Sequence, residues 1–139
     1  MLWGYIFLFL FLGAVGYVIR KGSRAHIQAI GIMIFGVAAT TIIYTIGSHK
    51  WLPLNIAVSM IDMIALMLFG LIAHQSKEFW PLLLTGWQLA TIVIHIATLY
   101  TQNLVPDVYG TVQGIWAYLQ FTTIFISALL EHRKAMRAS

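Results

Sequence analysis

An acidic side chain lies inside an apolar stretch of this chain: Asp62 is part of SMIDMIALMLFGLIAH, residues 59 to 74. In a membrane interior an ionised carboxylate costs at least about 2.5 kcal/mol, so this side chain needs a partner. His95 lies in the next apolar stretch, and a histidine exchanges its proton near neutral pH. An aspartate beside a histidine can bind a proton, either as two neutral groups or as a carboxylate and an imidazolium. The same pair can instead only lock two helices in register, and the sequence leaves both uses open.

Further polar residues recur at spacings of three and four in the neighbouring stretches, which places them on single helix faces. Gln88 shares such a face with His95, Gln120 lies on the fifth stretch, and Tyr44 on the second. At 1.5 Å per residue, Asp62, His95 and Gln120 lie roughly 8 to 13 Å below one membrane surface. We therefore predict that His95 holds Asp62 and that Gln120 or a neighbouring hydroxyl completes the hydrogen bonding. Gln88 and Tyr44 complete the predicted buried polar site.

The elements that carry these residues follow from composition, since 60% of the chain is hydrophobic and only 9% is charged. Long apolar stretches in lipid must satisfy their own backbone, so each is a helix of roughly 20 residues. We predict an all-α polytopic membrane protein, a single domain over residues 1–139. Its five transmembrane helices, in one bundle, are expected at residues 2–19, 27–47, 54–74, 81–100 and 111–130.

The basic residues predict the orientation of this bundle. Of the eight Lys and Arg residues, only Lys50 lies on the side opposite the others. The positive-inside rule then places the N-terminus outside and the C-terminus in the cytoplasm. The net charge of +4 is explained by this topology, and because the cations form no continuous basic face, we expect no nucleic-acid partner.

Several chemistries are excluded by residue content. Cysteine is absent, which removes disulfides, thiolate nucleophiles, iron–sulfur clusters and cysteine-ligated zinc. A P-loop and an HExxH motif are absent as well. One Asp–His pair does not make a set of nucleophile, base and orienting group, so we expect no catalytic residues, no metal site and no enzymatic activity.

Cofactor binding is a minor alternative that depends on the histidines. His95 is the one histidine well inside a predicted helix and is the candidate axial ligand for a haem or a chlorophyll-type pigment. A b-type haem takes two axial ligands, and the pairs available are His95 with His49 or His26 with His74. We expect no cofactor, because a second histidine well inside the membrane is missing.

The middle of the chain resembles a known group of proteins. The stretch IDMIALMLFGLIAHQSKEFWPLLLTGWQLATIVIHIATLY, residues 61 to 100, is similar to a segment of small polytopic integral membrane proteins of bacteria. The shared residues are Asp62, Phe79, Trp80, Pro81, Gly86, Trp87, Gln88 and His95. The resemblance brings no known activity, and it implies a location in the bacterial inner (cytoplasmic) membrane.

Two function classes remain in competition. The short connections leave no soluble domain for an active site, which favours an accessory or structural subunit of a larger membrane assembly, embedded in the lipid bilayer. The alternative is a proton-coupled transporter or channel built around Asp62 and His95. Five helices cannot be divided into two inverted repeats, so transport would require a homo-oligomer.

Overall fold

Helices form all of the secondary structure that is described. The computed structural model describes residues 2–46, 51–100 and 106–138, with the side chains of these ranges except residues 2–4, 7, 51–54, 99–100 and 106–114. The elements, in chain order, are α1 (Leu2–Lys21), α2 (Arg24–Ile46), α3 (Trp51–Gln75), α4 (Trp80–Tyr100) and α5 (Pro106–Ala138). The predicted all-α class is confirmed.

The helix ends differ from the predicted ones, and the difference has one physical cause. α2 begins at Arg24 instead of residue 27, α3 begins at Trp51 instead of residue 54, and α5 extends from Pro106 to Ala138 instead of from 111 to 130. An apolar stretch marks the part of a helix that lipid covers, whereas the backbone ladder continues wherever charged side chains can reach water. Residue 47, the predicted end of the second helix, lies outside the described residues.

Among the residues that the structure describes, three helical segments are long and apolar enough to cross a membrane: Arg24–Ile46, Asn55–Gln75 and Trp80–Thr98. Large apolar side chains cover much of the outside of the helices, and Phe9 and Ile46 are exposed to 78% and 80%. Such a surface suits lipid rather than water. These features indicate a membrane protein, while spans in α1 and α5 and the orientation stay predictions.

Packing between helices is closest for α3 and α4. α3 contacts α4 most extensively and α2 next, and α5 lies against both α4 and α1. An apolar core cluster draws on all five helices, and its most deeply buried side chains include Val18, Phe69, Leu84 and Ile124. α1 adds Phe11, Ala14 and Val18 from one face, a spacing typical of a helix that buries one side.

The start of α2, the start of α4 and the later part of α5 meet at one end of the structure, which we call the basic end. The basic residues at this end include Arg20, Lys21, Arg24 and Lys77. α1 and α2 are joined here by Gly22 and Ser23 alone. The two helices must therefore reverse direction within two residues.

Gly22 makes this tight connection possible. Its backbone N–H donates to the carbonyl oxygen of Val18 at 2.8 Å, and the N–H of Ile27 then donates to the carbonyl of Ser23 at 3.1 Å. A Cβ atom on Gly22 would lie 2.7 Å from the Val18 carbonyl oxygen and 3.0 Å from the Cβ of His26. Both distances are too short for a Cβ atom, so glycine is the residue that fits here.

We predict that Gly22→Ala lowers stability by about 1–3 kcal/mol, because the new methyl group would have to displace backbone. The measurement is thermal or SDS-induced unfolding of the purified protein in detergent. Gly31→Ala is the matched control in α2, since a Cβ there meets no atom within 4 Å and alanine favours a helix. Equal melting temperatures for the two variants would contradict the packing described for Gly22.

Candidate functional site

The central contact of the site joins α3 and α4. The Oδ2 atom of Asp62 lies 2.7 Å from the Nε2 atom of His95, and the two side chains are exposed to 20% and 1%. The two residues thus meet as their depths along neighbouring helices predict. A functional role for this contact stays a prediction.

Asn55 and Thr98 determine which nitrogen of His95 carries a hydrogen. The hydroxyl of Thr98 donates to the backbone carbonyl of His95 at 2.7 Å, so its oxygen accepts the bond from the amide Nδ2 of Asn55 at 3.0 Å. Asn55 therefore turns its Oδ1 toward the imidazole, 2.7 Å from Nδ1. A carbonyl oxygen only accepts, so Nδ1 of His95 must be the donor.

Gln88 fixes the hydrogen-bonding role of one carboxyl oxygen of Asp62. Its Nε2 donates to Oδ1 of Asp62 at 2.9 Å and to the Asp62 backbone carbonyl at 3.1 Å. Its Oε1 accepts from Nε2 of Gln120 at 2.7 Å, which holds the amide in this orientation. Gln120 or a hydroxyl was predicted to complete the hydrogen bonding of Asp62. This prediction is wrong, because the partner is Gln88. Gln88 reaches the carboxyl group because α3 and α4 pack most closely, and Gln120 of α5 supports Gln88.

These bonds leave one hydrogen to be placed between Asp62 and His95. Since Nδ1 already carries a hydrogen and Oδ1 already accepts one, the contact of Nε2 with Oδ2 requires a single proton between them. The proton sits on the ring as an imidazolium facing a carboxylate, or on the acid facing a neutral ring. Both arrangements have zero net charge, which is what a low-dielectric interior requires. Chemically, the site can hold one proton and move it between two atoms.

Tyr44, the predicted member from α2, stands apart from this network. Its side chain is 48% exposed, and its relation to Asp62 is an electrostatic interaction at longer range. The predicted polar region is therefore narrower than expected, since Asp62, His95, Gln88 and Gln120 come from α3, α4 and α5. In α2 the hydroxyls of Thr41 and Thr45 instead bond carbonyl oxygens of their own helix.

Sequence reasoning left Asn55 and Thr98 out of the site. Asn55 lies about two helical turns before Asp62 on the same face of α3, and Thr98 follows His95 by about one turn of α4. Both lie on the polar faces of their helices, and this position was the signal in the sequence that could have placed them in the site. Their roles depend on side-chain rotamers, which residue spacing does not encode.

The histidines considered as cofactor ligands are already engaged. Both ring nitrogens of His95 are occupied by Asn55 and Asp62, and both of His26 lie within hydrogen-bonding distance of serine hydroxyls. In this arrangement neither ring offers a nitrogen to a haem iron or a pigment magnesium. His74 is exposed at the end of α3, and His49, like Lys50, lies outside the described residues. No group of three His, Cys, Asp or Glu side chains within the described ranges is placed to hold a metal ion.

Comparisons of the chain with protein-family models, with curated proteins and with solved structures found no match.

We predict that Asp62→Asn keeps the protein within about 1 kcal/mol of its original stability. The new amide can accept from Gln88 through its oxygen and donate to Nε2 of a neutral His95, as the protonated acid does. His95→Ala should instead cost roughly 3 kcal/mol, because it leaves a buried carboxyl group without its partner. Unfolding in detergent measures both, and equal losses in the two variants would contradict the proton placement described above.

Proposed function

We propose that this chain is a small integral membrane protein of the bacterial inner membrane that acts as an accessory or structural subunit of a larger membrane assembly. It crosses the membrane five times, with the N-terminus outside and the basic end in the cytoplasm. The observation that carries the proposal is the continuous set of hydrogen bonds from Gln120 through Gln88, Asp62 and His95 to Asn55.

The form of this network supports a structural role. It joins α3, α4 and α5 through side chains whose donors and acceptors face one another, and it holds the ionisable pair at zero net charge. Each amide fixes the orientation of the next group, so the three helices are held in one relative register. Polar networks of this kind specify one packing arrangement more than they add raw stability.

The connections support an interaction through helix faces. Two residues join α1 to α2, and residues 76–79 join α3 to α4, which leaves little outside the helices for a partner to bind. The partner-facing surface is then among the exposed apolar side chains, which contact lipid or other subunits. At the basic end a shallow groove of about 430 Å³ is lined by Gly16, Tyr17, Arg20 and Lys21. The surface of this groove is almost entirely apolar, so it suits a lipid acyl chain, while the charged ends of Arg20 and Lys21 suit the headgroups of anionic lipids nearby.

The test of the subunit proposal is purification of the tagged chain in mild detergent from cells that express it at native level. We expect a particle much heavier than 15.6 kDa that contains at least one other membrane protein in fixed ratio. A tagged membrane protein of similar size serves as the control for chance co-purification. A uniform particle that contains this chain and nothing else would contradict the proposal.

Proton-coupled transport is the second candidate, and one observation favours it. The Asp62 side chain is 20% exposed and shares one proton with His95, an arrangement that suits a proton route through this pair. In this case the chain works as a homo-oligomer, since five helices do not form paired inverted repeats.

Proton flux into liposomes that contain the purified protein and a pH-sensitive dye decides between these candidates. Transport predicts flux for the original protein and at least about a tenfold loss in Asp62→Asn, whose amide cannot exchange a proton with His95. Gly31→Ala controls for protein insertion, because it leaves the network untouched. Equal flux in the original protein and Asp62→Asn would rule out a proton route through the pair.

A further inference from the structure

A second histidine is buried far from the Asp62 site. His26 is 0% exposed although it lies in the first turn of α2 at the basic end. Its ring stacks on Trp80 at the start of α4, with ring centroids 4.3 Å apart and planes inclined by 16°. Ser127 and Glu131 of α5 contact the edge of the ring. Three helices thus enclose one imidazole.

One nitrogen of this ring has a fixed role. The hydroxyl of Ser127 donates to the carbonyl oxygen of Ile124 at 2.9 Å. Its single hydrogen is therefore in use, and its oxygen, 3.0 Å from Nε2 of His26, must accept. In this arrangement Nε2 carries a hydrogen and donates it to Ser127.

The other nitrogen is where the ring gains or loses a proton. Nδ1 lies 2.7 Å from Oγ of Ser23 and 3.3 Å from Oε2 of Glu131. When Nδ1 is unprotonated, Ser23 can donate to it, but the Glu131 carboxylate then faces a lone pair. When Nδ1 is protonated, it donates toward both oxygens, and the carboxylate faces a positive ring.

The charges around the ring are unequal in their effect. Burial of the ring is the largest effect and disfavours its charged form, and two carboxylates oppose it, Glu131 directly and Glu78, in the turn before α4, at longer range. The other charged groups and histidines of this end lie at its surface, exposed or partly so, and are Arg20, Lys21, Arg24, His74, Lys77, His132, Arg133, Lys134 and Arg137. Water weakens the repulsion from these groups.

We propose that His26 and Glu131 form a second proton-binding site, at the basic end of the protein. The Glu131 side chain is 50% exposed, so its carboxylate can take a proton from a hydronium ion in the aqueous phase and release water. The O–H bond of the acid then breaks as the Nδ1–H bond of His26 forms, and Glu131 returns to a carboxylate beside an imidazolium.

This site is independent of the pair formed by Asp62 and His95. On α5, Ser127 lies about 10 Å further along the helix than Gln120, the last member of the first network. Ile124, which is 0% exposed, lies between these two polar positions. Among the described residues no side-chain hydrogen bond joins the two networks, so each site should titrate without the other.

The experiment is a pH titration of the full chain, labelled with ¹⁵N-histidine and held in lipid nanodiscs, with His26→Gln used to assign the signals. We expect the Nδ1 signal to change between its unprotonated and protonated forms while Nε2 keeps its hydrogen throughout. Glu131→Gln should lower the proton affinity of His26 about tenfold or more, since it removes the facing negative charge. Near-UV circular dichroism checks that the variants are folded.

Two matched variants separate this proposal from general effects. Glu78→Gln should shift the titration less than Glu131→Gln, because that carboxylate acts at longer range. Asp62→Asn should leave it unchanged, which also keeps the result separate from the proposed function. A ring that does not titrate, or a titration that Glu131→Gln leaves in place, would overturn the proposal.

Discussion

The contact between Asp62 and His95 is the constraint on which the arrangement of α3, α4 and α5 depends. A carboxyl group in an apolar interior is tolerated only if its charge is removed or matched, and here one shared proton satisfies both groups. The 2.7 Å separation requires the two helices to keep one relative register, because a shift of one residue along either would move a side chain by about 1.5 Å and by 100°.

The direction of each hydrogen bond follows from a neighbouring group. The hydroxyl of Thr98 donates its hydrogen to a backbone carbonyl, so its oxygen accepts from Asn55 and fixes the orientation of that amide. The oxygen of Asn55 then faces Nδ1 of His95, which must carry a hydrogen. On the other side of the pair, Gln120 donates to Gln88 and orients its amide, and Gln88 donates to Asp62. The protonation pattern of the pair is thus imposed from both ends by groups that do not ionise. At the basic end Ser127 plays the corresponding part for His26.

Sequence reasoning identified the helical class and the central pair because both depend on quantities that a sequence carries. Apolar length predicts a helix in lipid, and depth along neighbouring helices brings Asp62 to His95. Helix ends at Arg24 and Ala138 were missed because a helix continues into water, where no apolar pattern marks it. The choice of Gln88 over Gln120 depends on how closely three helices approach, which no spacing along a single chain contains. The enclosure of His26 by Trp80 is a long-range contact of the same kind.

The shared proton moves over a short distance, and this limits how strongly a membrane potential can act on it. Moving one charge across the whole membrane is worth about 2.3 kcal/mol per 100 mV, over a hydrocarbon core of about 30 Å. A proton that travels less than about 1 Å between Nε2 and Oδ2 therefore gains under about 0.1 kcal/mol. Voltage can scarcely bias which atom holds it, and the chemical surroundings of the two side chains make that decision.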